Sequence, residues 1–454
     1  MLLVVGGLGL GALAGCGSKP HGAGAAGTAP RYEDCYAPDE LVSSDVAGHR
    51  CTWLHEALLL QERLDRDRAF GQIQWHATHN SFNAAAYTGV GYFDFNQVVS
   101  IGDQLELGIR TLELDAHWYP SDAAGGAAAP VLCHAQGADV FQIGCTKKAR
   151  PLADGVQEVA DFLAEPGHED TVVIVGVEDV LEEHVAPSGS RSVPEAHDQA
   201  AAIFQSVLGS QVYRPPQDGT CHPLPLDLTK NQVLAAGARV ILASDCGSGT
   251  SWTGWFFSDT PKKKGNDGFT PYPDCDSSFF SASDYANGRT RVWQDSTFIS
   301  SLVSPELRPI DPPTLTAMRG CPLSEAALDQ LRPDDQRATA MVWSWAPGEP
   351  PPSQSAACAT SQSDGHFASS SCDVSLRADC RTADGWSITT DSVPWDGAAQ
   401  ACAAGFGSAA SFAVPETGFD NSHLKAAKAA AGVTEVWLGY RDRSGRGEWA
   451  VAEQ

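Results

Sequence analysis

The sequence predicts an α/β protein: a (β/α) TIM-type barrel followed by a small disulfide-containing C-terminal module. Short runs rich in Val, Ile and Leu alternate with helix-like segments, which is typical of a parallel sheet with crossover helices. The alternation extends over about 290 residues, a size that fits such a barrel with long insertions. After Pro347 the composition changes to a Ser- and Ala-rich region with several Cys and Trp residues. We therefore assign a barrel to residues 35–347, a linker to 348–357 and the C-terminal module to 358–454.

The predicted elements follow one another along the barrel region. Apolar runs predict strands in QIQWHATHN, IRTLELDAHW, PVLCHA, TVVIVGVED, RVILASD and TAMVWSWA, which are residues 72–80, 109–118, 130–135, 171–179, 239–245 and 339–346. Apolar side chains recur at helical spacing in 151–164 and 198–209. These helices separate strands that we expect to lie side by side in one sheet.

Charge and composition limit the classes of partner. The chain has 454 residues, of which 43% are apolar and 19% charged, so it can bury a large core. Its formal net charge is −26. Because the phosphates of nucleic acid would be repelled by so acidic a chain, we expect no nucleic-acid partner.

Residues 1–16 are predicted to be a lipoprotein signal peptide. The apolar run MLLVVGGLGLGALAG is too short to span a bilayer and is typical of a signal-peptide core. Leu13-Ala14-Gly15-Cys16 resembles a bacterial lipobox, in which Cys16 would carry the lipid anchor; an ordinary signal peptide is the alternative. Residues 17–34 are predicted to be a flexible tether. The expected location is the bacterial cell envelope, with the protein lipid-anchored or secreted.

The cysteines favour an oxidising compartment. The chain has 13 cysteines, so an even number remains if Cys16 carries lipid, which suits disulfides. Their spacing contains no CxxC motif and no Cys/His cluster of the zinc type. The sequence-local pairings that we predict are Cys35–Cys51 and Cys133–Cys145.

Polar side chains lie at the ends of four predicted strands. Residues at i and i+2 of a strand point to the same side, so the carboxylates of Glu113 and Asp115 face one way. Strand ends of a βα barrel open onto one face, where active sites lie. We expect six side chains to meet there: His79, Asn80, Glu113, Asp115, His134 and Glu178.

This set predicts a calcium site beside two histidines. Three carboxylates and an amide oxygen would repel one another without a hard cation, and oxygen-only ligands suit Ca²⁺ better than Zn²⁺. Two histidines would supply acid and base near neutral pH. The chemistry that this combination predicts is phosphoryl transfer, in which the metal neutralises a phosphate oxygen while imidazoles move protons.

The motifs THNSF (78–82) and LGIRTLELD (107–115), followed by His134, resemble the calcium-dependent branch of the phosphatidylinositol-specific phospholipase C family. The resemblance implies a (β/α) barrel, with His79 and His134 as the catalytic pair. It also implies four Ca²⁺ ligands, which are Asn80, Glu113, Asp115 and Glu178. Metal-free bacterial relatives carry a D-x-R strand where this chain has Glu113 and Asp115, which favours the calcium branch.

The resemblance also implies a reaction. The inositol 2-hydroxyl of phosphatidylinositol, or of a related phosphodiester lipid, would attack phosphorus and release diacylglycerol and a cyclic inositol phosphate. His134 would protonate the leaving oxygen, and His79 or Glu113 would be the base. The alternatives are a glycerophosphodiester or sphingomyelinase-type phosphodiesterase on the same barrel, or an inactive surface adhesion protein that uses its C-terminal module.

Two further segments predict contacts with membranes or partners. In residues 252–264 the run WTGWFFSDTPKKK resembles an interfacial docking loop, but we favour the other interpretation, in which the aromatics are buried and the lysines form a solvated turn. Residues 358–454, around Trp395 and Trp437-Leu438-Gly439-Tyr440, resemble incomplete C-type-lectin-like domains. They contain no Glu-Pro-Asn or Gln-Pro-Asp motif, so we do not expect calcium-dependent sugar binding.

Overall fold

The computed structural model describes residues 35–87, 94–134, 145–185, 189–244, 250–258, 262–264, 290–295, 297, 309–320, 325–351, 357–443 and 447–452. The predicted signal peptide with Cys16 and the predicted tether (17–34) lie outside these ranges. Tyr36–Gln454 form one compact unit. Within the described part of the chain, every helix is too short or too polar to cross a bilayer.

Twelve strands precede the C-terminal region in the described residues. They are β1 Trp75–Thr78, β2 Thr111–Pro120, β3 Ala128–Leu132, β4 Arg150–Pro151, β5 Val173–Val180, β6 Glu182–Val185, β7 Gly189–Ser192, β8 Val240–Ser244, β9 Phe257–Ser258, β10 Lys262–Lys264, β11 Thr290–Gln294 and β12 Glu325–Leu328. Ten of them form one sheet, and β6 and β7 form a separate antiparallel pair.

Eight parallel strands of this sheet follow the order β10-β11-β12-β1-β2-β5-β8-β9. The last of them in sequence, β12, pairs in parallel with the first, β1, from Trp75↔Glu325 to Thr78↔Leu328. First-to-last pairing is the strand order of a βα barrel. Among the described residues β9 and β10 do not pair, so the structure has the predicted α/β class without a closed barrel.

Helices fill the connections between these strands and continue into the C-terminal region. They are α1 Val46–His49, α2 Trp53–Leu64, α3 Ile101–Glu106, α4 Leu152–Ala164, α5 Pro194–Leu208, α6 Lys230–Ala235, α7 Thr250–Thr253, α8 Pro312–Arg319, α9 Gln336–Ala340, α10 Ala398–Phe406 and α11 Gly418–Ala430. Single 3₁₀ turns cover Phe70–Gln72, Asp122–Ala124, Gly209–Gln211 and Trp395–Gly397. The predicted helices at 151–164 and 198–209 correspond to α4 and α5.

The predicted strand at 339–346 is wrong. Its first residues belong to α9, and the last strand of the sheet is β12, whose sequence is EAAL. Glu, Ala and Leu favour helices, so local propensity gave no strand signal there. Parallel pairing with β1 on one side and β11 on the other imposes the extended conformation.

The favoured interpretation of residues 252–264 is confirmed for its aromatic half, and the docking-loop alternative is wrong there. Trp252 and Phe256 are 0% and 1% exposed, and their rings stack with centroids 3.9 Å apart. Phe256 also meets Phe204 of α5 edge to face. Large aromatic side chains give their full apolar area to a core when packed in this way. They are therefore part of the core and not an exposed anchor.

The described residues of the C-terminal region, 357–443 and 447–452, form an antiparallel sheet, a hairpin and two α-helices. The sheet has the order β14-β13-β17-β18, and β15 pairs with β16. These strands are β13 Cys358–Ser361, β14 Phe367–Ser370, β15 Asp379–Thr382, β16 Gly385–Ile388, β17 Val436–Asp442 and β18 Trp449–Val451. Disulfides join Cys358 to Cys372 and Cys380 to Cys402. The lectin-like resemblance and the boundary near residue 350 remain predictions.

The predicted Cys133–Cys145 disulfide is confirmed. Cys35 and Cys51 are also disulfide-bonded.

Candidate active site

Three carboxylates converge where β2 and β5 run side by side. Glu113 and Asp115 lie on β2, and the parallel register sets Asp115 opposite Glu178 of β5. One ligand oxygen from each of the three lies within 4.8 Å of the others. Like charges at this separation oppose each other unless a cation or a proton compensates them. The structure thus brings together three of the four predicted calcium ligands.

The fourth predicted ligand, Asn80, lies against this cluster. Its backbone φ of 46° is left-handed, a conformation that Asn adopts more readily than most residues. Its N–H donates to Glu113 Oε2 at 3.2 Å. The tip of its amide lies 3.0 Å from Asp115 Oδ2, where the nitrogen, turned that way, donates a hydrogen bond. With the amide oxygen there instead, two acceptors would face each other, and a cation between them would hold both. The donor set therefore fits a hard cation such as Ca²⁺.

His79 follows β1 and pairs with a buried carboxylate. Its Nδ1 lies 3.1 Å from Oδ1 of Asp329, which is 1% exposed and follows the neighbouring strand β12. Burial by itself lowers the pKa of His79, but the charge and hydrogen bond of Asp329 outweigh it, with further contributions from Glu113 and Asp115. Together they raise the pKa to about 10. The pairing holds Nδ1 on Asp329 and leaves Nε2 on the side of Asn80, 3.2 Å from its amide.

Two side chains of the segment after residue 93 hold this pair in place. Asn96 Nδ2 donates to both carboxylate oxygens of Asp329, at 3.2 and 3.1 Å. Gln97 Nε2 donates to the backbone oxygens of His79 and Leu328, at 2.7 and 2.8 Å. The ends of β1 and β12 are therefore joined by side chains as well as by their own pairing.

Asp295 and Arg337 hold the backbone of Asp329. Its N–H donates to Asp295 Oδ2 at 3.0 Å, and Arg337 donates to the same carboxylate oxygen and to the Asp329 carbonyl, both at 2.6 Å. Sequence reasoning missed Asp329, Asn96, Gln97, Asp295 and Arg337. Asp329 follows the end of a parallel strand, as the other site residues do. The sequence EAAL before it is typical of a helix, so the sequence did not predict that strand.

His134 reaches the site by a route that differs from the predicted one. It was expected at the end of a parallel barrel strand, but β3 runs antiparallel to β2, with Ala116 opposite Leu132. β2 is ten residues long, and the chain returns along its second half as β3. The return brings His134, which is half-buried, back to the level of the carboxylates.

The two histidines have pKa values shifted in opposite directions. Burial lowers the pKa of His134, the positive charge of His79 lowers it further, and Glu113 opposes both. His134 is therefore neutral under conditions in which His79 is charged. Two titratable groups whose pKa values differ in this way can serve as the acid and the base of one reaction.

Two other groups of potential metal ligands have different explanations. Glu106, Glu165 and His168 cluster, but Arg50 bridges the two carboxylates at 2.7 and 2.6 Å, which makes this group an ion-pair network. His117 lies beside Cys133 and Cys145, whose sulfurs are bonded to each other.

Comparison with known proteins gives a match over most of this region. A family model described as the Rv2075c PI-PLC-like domain matches residues 42–335, a range that contains every site residue named above except Arg337. Two proteins of Mycobacterium tuberculosis, uncharacterized protein MT2135 of strain CDC 1551 / Oshkosh and uncharacterized protein Rv2075c of strain ATCC 25618 / H37Rv, are each 35% identical over 401 residues. Each alignment covers 86% of this chain and 80% of the relative.

Solved structures are similar to this chain at lower sequence identity. The phosphatidylinositol-specific phospholipase C from Listeria monocytogenes gives a TM-score of 0.38 at 14% identity, over 63% of this chain and 97% of that chain. A Staphylococcus aureus phosphatidylinositol-specific phospholipase C gives 0.37 at 13% identity, over 63% and 97%.

Proposed function

The chain belongs to the Rv2075c PI-PLC-like family, and on that basis we propose that it is a Ca²⁺-dependent phosphodiesterase. The substrate that we propose is phosphatidylinositol or a related phosphodiester lipid, cleaved to diacylglycerol and a cyclic inositol phosphate. One observation carries the proposal, which is that the carboxylate cluster of Glu113, Asp115 and Glu178 lies beside the His79–Asp329 pair.

The residues that would hold calcium are Asn80, Glu113, Asp115 and Glu178. Bound there, the ion would neutralise a phosphate oxygen and favour ionisation of the attacking hydroxyl. The remaining chemistry belongs to the side chains around it. Asp329 orients the imidazole of His79 through Nδ1, so Nε2 is the atom that exchanges a proton with the reacting group.

Proton transfer completes the reaction. The inositol 2-hydroxyl loses its proton to His79 or Glu113 as its oxygen forms a bond to phosphorus. The bond from phosphorus to the diacylglycerol oxygen breaks, and His134 supplies the proton that this oxygen gains. The side chains by themselves favour a charged His79 and a neutral His134. This division of roles therefore requires calcium beside His79 to lower its pKa and the phosphate beside His134 to raise the pKa of that imidazole.

Membrane attachment is proposed from the sequence alone. Cys16 would carry a lipid anchor and hold the protein in the bacterial cell envelope, within reach of a lipid substrate. Radiolabelled fatty acid incorporation into the wild type, and its absence in Cys16→Ser, would test this.

Turnover of phosphatidylinositol in mixed micelles tests the proposed activity. We expect EDTA to abolish turnover and calcium to restore it, and we expect His79→Ala and His134→Ala each to lower kcat by about 10²-fold or more. The exposed His423→Ala serves as the matched control. Full activity in chelator would remove the calcium requirement, and an active His79→Ala would remove the catalytic assignment.

A further inference from the structure

We propose that the Cys133–Cys145 disulfide positions His134 for catalysis, so that turnover requires the oxidised form of the protein. This role rests on the proposed function, because it concerns His134 as the acid. The observation behind it is that the disulfide lies at the residue immediately before His134.

Strand pairing ends just before His134. The pairing of β3 with β2 ends at Ala116↔Leu132, and its pairing with β4 ends at Leu132↔Arg150. The N–H of Cys133 then donates to the Asp115 carbonyl at 3.4 Å, a long hydrogen bond. His134 therefore lies beyond the regular ladder, and the Cys133 sulfur provides a covalent tie at the point where the ladder ends.

The Cys133–Cys145 disulfide is buried, and hydrogen bonds hold the segment that follows Cys145. Cys133 and Cys145 pack with Val131 and Ala149 in a small apolar cluster, and Tyr119 covers it. The segment after Cys145 is held by hydrogen bonds from Ala149 N–H to the Thr146 carbonyl and from Asp122 N–H to the Lys147 carbonyl, both 2.8 Å.

The next strand is anchored in turn. Arg150 of β4 pairs with Glu158 of α4, and its guanidinium lies 4.1 Å from the centre of the Tyr87 ring. The disulfide thus links Cys133 to the segment after Cys145, in addition to the hydrogen bond that links Cys133 to β2. The residue before His134 is therefore held by two separate parts of the chain.

Loss of this tie should affect catalysis more than binding. A general acid acts only when it lies within hydrogen-bond reach of the leaving oxygen, and a displacement of about 1 Å lowers rates by about 10²-fold. The carboxylate cluster, where we propose that the substrate phosphate binds, does not include His134. The expected signature is a fall in kcat with KM nearly unchanged.

The chain offers a matched control. The Cys358–Cys372 disulfide closes a loop of similar length, with a sequence separation of 14 against 12, and lies in the C-terminal region. Removing either should relax the unfolded chain to a similar degree. We expect Cys133→Ala/Cys145→Ala to lower kcat by about tenfold or more, and Cys358→Ala/Cys372→Ala to keep kcat within about twofold at a comparable loss of melting temperature. Equal kcat losses in the two variants would overturn the proposal.

Reduction of the wild type gives a second measurement, which does not require a variant to fold. Dithiothreitol supplies two electrons and two protons to the disulfide and becomes a cyclic disulfide itself. Alkylation and mass spectrometry then report which thiols have appeared. We expect activity to fall as Cys133 and Cys145 become labelled, and activity that persists after their labelling would contradict the proposal.

A spectroscopic test separates this inference from the proposed function. The imidazole resonances of ¹³C-labelled histidine are recorded for the wild type and Cys133→Ala/Cys145→Ala, with His134→Gln identifying the His134 signal. We expect one sharp His134 signal in the wild type and a shifted or broadened one in the variant, whatever substrate the enzyme uses. An unchanged signal would overturn the positioning role, whereas absence of phosphatidylinositol turnover in the wild type would overturn only the proposed function.

Discussion

Asp329 holds the Nδ1 side of His79, and this contact leaves the opposite ring nitrogen 3.2 Å from the side-chain amide of Asn80. The carboxylate accepts two hydrogen bonds from Asn96, and its backbone is held by Asp295 and Arg337. A side chain restrained at so many atoms has one orientation. The imidazole beside it is therefore oriented before any substrate arrives.

Replacing this carboxylate should remove the orientation while keeping the shape. We expect Asp329→Asn to lower kcat by about 10²-fold or more, because the amide no longer favours the tautomer with its proton on Nδ1. The control is Asp396→Asn, whose side chain is 83% exposed. Steady-state kinetics of both variants check the prediction, and a kcat within threefold of the wild type for Asp329→Asn would contradict it.

A second prediction at the scale of single residues concerns calcium affinity. Glu178→Gln removes one of three clustered charges, so we expect the calcium concentration for half-maximal activity to rise by about tenfold. The exposed Glu195→Gln on α5 is the matched control. Titration calorimetry with calcium checks the result without substrate, and unchanged affinity in Glu178→Gln would place the ion elsewhere.

At the scale of elements, sequence patterns predicted the strands that carry the carboxylates, because β2 and β5 are long and mostly buried and β5 is rich in Val and Ile. They did not predict the direction of β3, since an apolar run has the same composition whichever way it pairs. The sequence did not predict β12 for a different reason, which is that its residues favour a helix. Neighbouring strands decide both cases, and a single sequence does not contain that information.

The helices before the sheet give a prediction on acid stability. His49, at the end of α1, is fully buried, and neither ring nitrogen has a hydrogen-bond partner among the residues that the structure describes. Burial lowers its pKa from 6.5 to about 4, against the opposing charge of Glu106. Between these two values the unfolded chain binds a proton that the folded chain excludes. Stability contributed by neutral His49 is therefore complete above about pH 6.5 and is lost as the pH falls toward 4.

The size of this effect follows from the shift. A difference of about 2.5 pKa units corresponds to about 3 kcal/mol in the free energy of unfolding. We expect His49→Leu to flatten the dependence of this free energy on pH between 6.5 and 4.5, while the exposed His423→Leu leaves it as in the wild type. Urea denaturation at several pH values measures it, and an unaltered slope in His49→Leu would be contrary to this explanation.

At the scale of the whole molecule, the regions before and after residue 350 share one hydrophobic core. Trp343 and Trp345 meet Phe367 of β14 edge to face, at 5.9 and 6.1 Å between ring centroids. Asn421 of α11 donates to the carbonyls of Trp343 and Gly365, both at 3.0 Å. The amino-acid composition changes near residue 350, but composition alone does not show whether the regions before and after it have separate hydrophobic cores.

This shared core predicts a single unfolding transition. Phe367 is 0% exposed, so Phe367→Ala should cost about 3–5 kcal/mol and lower the melting temperature of the entire unit. The exposed Phe406→Ala, on α10, should change the melting temperature little. Calorimetry checks this, and two separate transitions, of which Phe367→Ala shifts only one, would show that the regions fold independently.

The central claim is that the carboxylate cluster and the two histidines act together on a phosphodiester lipid through calcium. ³¹P NMR of the products from phosphatidylinositol, with calcium and with EDTA, tests it most directly. We expect a cyclic inositol phosphate signal that appears with calcium and is absent in chelator. A cyclic product formed equally in EDTA, or no phosphodiester cleavage with calcium present, would contradict it.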